Sequence, residues 1–459
     1  MKNNIILNVD SYKTSHYLQY PPGTEYVSSY IESRGGEYEH IVFFGLQMFI
    51  KEYLTTPITH EDVDEAKAAL TLHGVPFNEA GWRYIVDEHR GYLPIEIQAV
   101  REGTVLPSQN VLAQIVNTDP ACPWLTSYVE TALLRAIWYP TSVATVSKRC
   151  RIVIEKYLME TSGDSEGIEF KLHDFGARGA TSEEAAGIGG AAHLINFLGT
   201  DNISGVLAAR RYYGAEMAGF SIPAAEHSTI TCWGKPRETQ AYANMLKQFA
   251  GTEKTVAVVS DSYDLWNAVD NIWGGQLKDS VKRNGGTIVI RPDSGDPVSI
   301  VVETVERLMQ KFGYSTNELG YRVLPPYIRV IQGDGISAKS IEAILQAMKL
   351  NQQSAENVTF GMGGELLQKV NRDTLKFAMK ASAAKINGVW VDVFKDPVTD
   401  QGKKSKKGRL ALVESDSKTF QTVREESLGE RHNLLETVFK NGRVIREQTI
   451  ENVRQLAVA

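Results

Sequence analysis

The run Arg291-Pro292-Asp293-Ser294-Gly295-Asp296-Pro297 is the densest polar cluster at the end of a β-rich run. Arg291 and Asp293 could face a ligand that carries negative charge, hydroxyls or a metal ion. The same residues also suit a plain turn in which Ser294 or Asp296 caps the next helix. Two glycine runs follow, Gln332-Gly333-Asp334-Gly335 and Gly361-Met362-Gly363-Gly364. Glycine lets backbone amides approach phosphate, and the loops after the last strands of a barrel often bind it. Neither run is a P-loop or a complete dinucleotide fingerprint. Asp174, Asp201, Asp261, Asp293 and Asp334 are expected on one face, where carboxylates orient hydroxyls, hold magnesium through water or move protons. His227, within Glu226-His227-Ser228, could be a base, a nucleophile toward phosphorus or a hydrogen-bonded core residue. No partner spacing places it in a Ser-His-Asp triad. Phe175 beside Arg178, and Tyr12 within Asp10-Ser11-Tyr12-Lys13, could give a planar ring an aromatic slot and a cation, or could pack in the core.

A repeated strand-loop-helix unit is what must position these groups. β-rich runs at 169–172, 255–259, 287–290, 327–331 and 358–360 each lead into a turn rich in Gly, Asp or Ser. From Asp174 through Asp201, His227, Asp261, Asp293 and Asp334 to Gly363 the gaps are 27, 26, 34, 32, 41 and 29 residues. A βα unit takes about 30 residues. Parallel strands with helical crossovers follow, and an incomplete α/β barrel is favoured over an open sheet. In either, polar residues at the C-terminal strand ends converge on one face. Ahead of the barrel, strands are expected at 26–31 and 95–100, helices at 61–70 and 78–88, and a helical spine over 123–161. Short strands return at 388–394, 409–413 and 435–439. The expected organisation is an N-terminal α+β segment with its spine over 1–160, an α/β barrel catalytic domain over 161–371, and a C-terminal β-rich segment over 372–459. The two outer segments should join in a mainly antiparallel β-rich α+β domain.

Composition sets the outer limits. The 459 residues carry 49 Lys plus Arg against 55 Asp plus Glu, a net charge of -6, and are 42% hydrophobic. That excludes extended disorder and a general nucleic-acid coat, so any polyanion must be met by a local cluster such as the basic loop at 395–409. The 3 cysteines form no CxxC pair, which argues against a disulfide framework or a zinc site. Ile5-Ile6-Leu7 is too short for a signal core and no run approaches the roughly 20 apolar residues of a membrane span. A soluble cytoplasmic protein, with neither nucleic acid nor membrane as partner, is the expectation.

Taken in order, Asp10-Ser11-Tyr12-Lys13, His173-Asp174-Phe175-Gly176-Ala177-Arg178-Gly179, Gly199-Thr200-Asp201, Pro223-Ala224-Ala225-Glu226-His227-Ser228-Thr229-Ile230, Ser260-Asp261-Ser262-Tyr263-Asp264, Arg291-Pro292-Asp293-Ser294-Gly295 and Gln332-Gly333-Asp334-Gly335 resemble the nicotinamide phosphoribosyltransferases, a type II phosphoribosyltransferase family. The resemblance continues through Phe394-Lys395-Asp396-Pro397 and Ser405-Lys406-Lys407-Gly408-Arg409, almost the whole chain. It implies phosphoribosyl transfer from phosphoribosyl pyrophosphate to nicotinamide in NAD salvage, and a homodimer with shared active sites. It also implies Mg2+ and ATP as an optional co-substrate. Phe175 and the partner subunit's Tyr12 would then sandwich the pyridine, with Asp201 accepting from the carboxamide and Arg178 and Arg291 placing the ligand. Asp293, Gly333 and Asp334 would meet the ribose, and Gly363 with Gly364 the 5′-phosphate. Arg34, Arg178, Arg372, Lys380, Lys395 and Lys403 would surround pyrophosphate, and Asp261 and Asp293 would organise the metal. His227 would accept a phosphoryl group, with Glu226 and Asp261 orienting it. Three positions depart from the family pattern: Ala257 and Ala378 stand for serines, and Glu365 for a glycine. The alternatives are a nicotinate phosphoribosyltransferase, a noncatalytic binding protein on the same fold, or a sugar-phosphate lyase, for which no lysine stands clearly at a strand end.

Overall fold

The computed structural model describes residues 4–399, 404–415 and 419–458. The chain forms two compact units, one of Met1–Thr145, Arg211–Ala215 and Val370–Ala459, the other of Val146–Arg210 and Glu216–Lys369. The first division falls inside the helix Glu130–Thr161, not after it as expected from sequence, and the return to the first unit begins at Val370.

The first unit takes from the N-terminal segment β1 (Thr24–Ser33), β2 (His40–Val42), β3 (Ile95–Ala99), β4 (Val105–Pro107) and β5 (Val111–Asn117). The second unit supplies β6 (Leu172–Asp174), β7 (Gly199–Thr200), β8 (Thr255–Val259), β9 (Thr287–Arg291), β10 (Ser315–Thr316), β11 (Arg322–Val323), β12 (Ile328–Gln332) and β13 (Val358–Met362). Then β14 (Phe377–Ile386), β15 (Val389–Asp392), β16 (Leu410–Glu414), β17 (Phe420–Arg424), β18 (Glu436–Lys440) and β19 (Arg443–Val444) return to the first.

In the first unit the main sheet runs β15-β14-β1-β5-β3-β18-β19, with antiparallel pairing throughout. β3 shows why it forms: Ile95, Ile97 and Ala99 alternate inward while Glu96 and Gln98 do not. N- and C-terminal strands thus share one sheet. The expected helices are His60–His73 and Glu79–Glu88. The first starts on a Thr59/Asp62 capping box and stops at Gly74, whose φ of 84° suits glycine. Sequence reading overlooked β14, because Phe-Ala-Met-Lys-Ala-Ser-Ala-Ala-Lys-Ile is alanine-rich and weak in β-propensity. It pairs with β1 from Thr24↔Ile386 to Ser33↔Phe377, so tertiary pairing decides its state.

In the second unit the parallel order is β7-β6-β13-β12-β9-β8. The edges β7 and β8 are both bridged by one irregular segment, where Gly199 pairs with Phe220 and Ala224 with Ala257. The result is an incomplete α/β barrel whose members follow chain order. β8 is apolar along its buried length, as a strand covered on both faces must be. Asp296 and Ser337 cap the crossover helices Pro297–Phe312 and Ala338–Leu350. Two expectations shift. The run at 169–172 is mostly a 3₁₀ turn, Ile168–Phe170, entered through Gly167 at φ 69°, and the strand begins at Leu172 where pairing with β13 starts. Before His227 there is no regular strand, only the bridging segment. Among the described residues no helix is long and apolar enough to cross a membrane.

Candidate active site

The C-terminal ends of the barrel strands bring the second unit's chemistry together. Phe175 leaves β6 with its N–H donated to Met362 O on β13 at 3.0 Å. Its ring packs on Ala257, Val289 and Ile331, an apolar floor built from β8, β9 and β12 that Ile222 also packs against. A Cβ added at Gly361 would lie 2.0 Å from the ring, so glycine in mid-strand is what admits the aromatic side chain. At Gly333 an added Cβ would stand 3.4 Å from Asp293 Oδ1 and 3.5 Å from the Phe175 ring, which places this glycine between the two. Gly363 and Gly364 adjoin Phe175 and the Arg178 turn. Added at Gly363, a Cβ would be 3.9 Å from Phe175 O, and one at Gly179 would be 3.5 Å from Gly364 Cα. Arg178 is exposed.

Asp201 follows β7, and its carboxylate accepts from Ser221 Oγ at 2.5 Å. Ser221 had no signal in the sequence; it stands on the irregular bridging segment, and only the barrel closure brings it to Asp201. Asp174 corrects an expectation. It is fully buried, bonded by Gly176 N at 2.7 Å and Asn202 Nδ2 at 2.9 Å, and so does not join the open face. Burial pushes its carboxyl up to about 6, with the neighbouring Asp201 charge adding to the rise.

Asp261, Asp293 and His227 form a second cluster. The His227 side chain is 47% exposed, which excludes the core reading. Its Nε2 faces Asp293 Oδ2 at 3.5 Å and Asp261 Oδ1 at 3.8 Å, while Nδ1 meets Ser262 Oγ at 3.1 Å. Glu226 turns instead to the Ser228 hydroxyl, so the orienting partners of the imidazole are Ser262 and the two aspartates. Asp261 Oδ2 accepts from Asp293 N at 3.1 Å and Ser294 Oγ at 2.5 Å. Its buried Oδ1 has no hydrogen-bond partner. Within the 291–297 run both readings hold: Asp296 caps the helix, whereas Ser294 serves Asp261. Arg291 Nε lies 3.7 Å from Asp293 Oδ1, too long for a hydrogen bond, and is buried without another partner. Asp334 is exposed, and its carbonyl accepts from Gln332 Nε2 at 2.9 Å. Among the described residues no three His, Cys, Asp or Glu side chains form a ready metal cage.

The first unit gathers cations. Arg34 and Lys406 both bind the buried Glu32 carboxylate. Lys13 pairs with Glu130 at 2.7 Å, a contact that outweighs the effect of burial and raises the lysine above its usual range. Burial lowers Lys380, Glu130 opposes, and Arg34, Lys13 and Lys395 lower it further. Arg372 is exposed and pairs with Asp373. Tyr12 is 61% exposed, set edge-on to His16. Lys403 lies outside the described residues. Of the three departures, Ala257 lies in the floor under Phe175, Ala378 pairs across β1 with Glu32, and Glu365 is drawn to Lys369.

The profile of the nicotinate phosphoribosyltransferase (NAPRTase) family matches residues 170–443, and that of the nicotinamide phosphoribosyltransferase N-terminal domain matches residues 4–97. A nicotinamide phosphoribosyltransferase of Xanthomonas campestris pv. campestris is 54% identical, over 100% of this chain and 98% of its own. The chain belongs to the nicotinamide phosphoribosyltransferase family. A member from Acinetobacter baylyi is 31% identical, over 97% of this chain and 95% of its own. Among solved structures the fold is shared with nicotinate-nucleotide pyrophosphorylase from Pyrococcus furiosus, with a TM-score of 0.64 at 15% identity over 100% of this chain and 96% of that one. It is also shared with human nicotinic acid phosphoribosyltransferase, with a TM-score of 0.57 at 15% identity over 98% and 92%. For this family the Glu365–Lys369 pair has a consequence: the added carboxylate beside the glycine turn carries its own counter-ion.

Proposed function

We propose that the chain transfers phosphoribosyl from phosphoribosyl pyrophosphate to the ring nitrogen of nicotinamide, giving nicotinamide mononucleotide and pyrophosphate in NAD salvage. The observation that carries this reading is the carboxylate of Asp201 on the strand end next to Phe175. A planar ring stacked on Phe175 would present its substituent to an acceptor, which suits an amide N–H and repels a second carboxylate. Ser221 holds that acceptor in place.

As pyrophosphate leaves, positive charge grows on the anomeric carbon, and Asp293 beside Gly333 would meet the ribose hydroxyls. The pyridine nitrogen is already nucleophilic, so the residues' main contribution is alignment and exclusion of water. The unpartnered Asp261 Oδ1 and the nearby Asp293 suit Mg2+, which is commonly held by one or two carboxylates and completed by water and substrate phosphates. Bound there, the metal would neutralise charge on the leaving pyrophosphate. Gly363 and Gly364 would admit the 5′-phosphate. His227, exposed and held by Ser262, suits phosphorylation during optional ATP hydrolysis: its ring nitrogen would attack the γ-phosphorus, ADP would leave, and the phosphohistidine would later pass to water. We further propose a cytoplasmic homodimer in which Tyr12 of one subunit, with some of the cations Arg34, Arg372, Lys380, Lys395 and Lys403, completes the site of its partner.

Product formation from nicotinamide and from nicotinate, each with and without ATP, tests the reading. Nicotinamide should be strongly preferred, and Asp201→Asn should narrow the gap. Preference for nicotinate, or no pyrophosphate release with either pyridine, would overturn it.

A further inference from the structure

The buried Asp174 joins both walls of the candidate pyridine pocket while reaching into neither. It ends β6 between β7 and β13, where it pairs with Thr200 and Met362. Its backbone carbonyl accepts from Asp201 N at 3.0 Å. One carboxylate oxygen accepts from Gly176 N at 2.7 Å, directly after Phe175. The other accepts from Asn202 Nδ2 at 2.9 Å, directly after Asp201. Asn202 is itself fixed. Its Nδ2 also donates to Ala186 O at 2.8 Å, its Oδ1 accepts from Gly205 N at 3.2 Å, and its N–H donates to Thr200 Oγ1 at 3.0 Å.

The surrounding helices leave room only for this arrangement. A Cβ on Gly190 would fall 2.5 Å from Asn202 Nδ2 and 2.8 Å from Gly205 Cα, and one on Gly205 would fall 2.7 Å from Gly190 Cα. Helices Glu183–His193 and Ile203–Tyr213 therefore meet glycine on glycine and press Asn202 toward Asp174.

We infer that Asp174 is a positioning residue that sets the Phe175 ring and the Asp201 carboxylate in register, and so fixes both affinity for the pyridine and choice of its amide substituent. Both side-chain partners of Asp174 are N–H donors, so only a group with two acceptor oxygens satisfies them. Asp174→Asn keeps the shape but turns an NH2 toward a donor, which releases one wall. Asn202→Ser releases only the Asp201 side and leaves the Gly176 bond intact.

The inference rests on the pyridine reading above, and the test separates the two. KM and kcat for nicotinamide, KM for phosphoribosyl pyrophosphate, and the nicotinamide-to-nicotinate ratio are measured for the full chain and both variants, alongside melting temperature. Asp174→Asn should raise the nicotinamide KM about tenfold, the scale of one lost hydrogen bond to a charged group, and leave the phosphoribosyl pyrophosphate KM within about twofold. Asn202→Ser should lower the nicotinamide-to-nicotinate ratio with a smaller rise in KM. A merely structural role would lower the melting temperature and depress turnover evenly for every substrate. Folded variants with wild-type nicotinamide KM and substrate ratio overturn the inference, and if Asp174→Asn does not fold, Asn202→Ser decides. A wild-type chain that does not turn over nicotinamide refutes the transfer reading instead. Titrating nicotinamide and nicotinate directly onto the three proteins then still reads the positioning role, and equal binding by all three overturns it.

Discussion

Gly361→Ala should damage the proposed pyridine site through one methyl group. The new Cβ would lie 2.0 Å from Phe175 Cε2, 2.1 Å from Cδ2 and 2.8 Å from Cζ. Carbon atoms in contact rest at about 3.5–4.0 Å, so the ring edge must retreat by about 1.5 Å or β13 must bend away from β6. Forcing a methyl group into packed surroundings costs about 1–3 kcal/mol, which in a domain of this size lowers the melting temperature by about 2–4 °C per kcal/mol. Function should suffer separately. A displaced ring loses offset stacking on a planar ligand, worth about 0.5–1.5 kcal/mol, or a rise of about 2- to 13-fold in nicotinamide KM. Steady-state kinetics with nicotinamide varied at saturating phosphoribosyl pyrophosphate, together with thermal unfolding, give both numbers. Unchanged KM and unchanged melting together would show that Phe175 does not occupy this space and would refute the argument.

Gly364→Ala makes the contrasting case, since a Cβ there meets nothing within 4 Å. Its melting temperature should stay within about 1 °C, because surface changes typically lie within about 0.5 kcal/mol. Its KM for phosphoribosyl pyrophosphate should rise about tenfold if the glycine makes room for phosphate, on the scale of one lost charged hydrogen bond. His227→Ala should keep measurable transferase activity and lose ATP stimulation; coupled assays of mononucleotide and ADP read this, and ATP hydrolysis that persists would remove His227 from that role. The buried His193 donates from Nε2 to Gly199 O (3.2 Å) and, as a neutral ring, accepts at Nδ1 from Ser147 Oγ (3.0 Å), and burial lowers it to about 4. Its folded value lies below the ordinary 6.5, so its contribution to stability is present above that pH and is lost as pH falls toward 4, by about 3 kcal/mol in full. Asp174, raised to about 6, acts in the opposite sense over the same range, so the loss is read as the difference between wild type and His193→Gln in chemical denaturation at pH 7 and pH 4.5: the wild type should lose more stability than the variant, and identical profiles would contradict it.

Strands covered on both faces were readable as apolar runs, and β8 occupies Thr255–Val259 as expected. Similar gaps between polar strand ends also announced parallel strands with helical crossovers, because each crossover consumes a similar length of chain. β14 was not readable, since its alanines carry little local preference and the state is set by β1. The candidate site divides in the same way. Phe175, Asp201, His227, Asp261 and Asp293 were visible as polar or aromatic residues beside turns. Ser221, Ser262 and Ser294 were ordinary serines until folding set them against Asp201, His227 and Asp261. Gly361 was read as part of the glycine turn after a strand at 358–360, and only the fold, in which β13 runs on to Met362, sets it inside a strand where glycine admits the close approach of another group.

By itself the sequence determined the apolar barrel strands, their crossovers and the chemical groups at their ends, because periodicity and residue type are local properties. Tertiary structure alone decided their division of labour. Asp174 ends one short strand and Asp201 follows another, yet one is buried and the other is left exposed. The difference is made by what lies across from each: two N–H donors and a glycine-lined helix contact for Asp174, a single serine hydroxyl for Asp201. Desolvation and pairing are set by neighbours distant in the chain, and no local pattern encodes them.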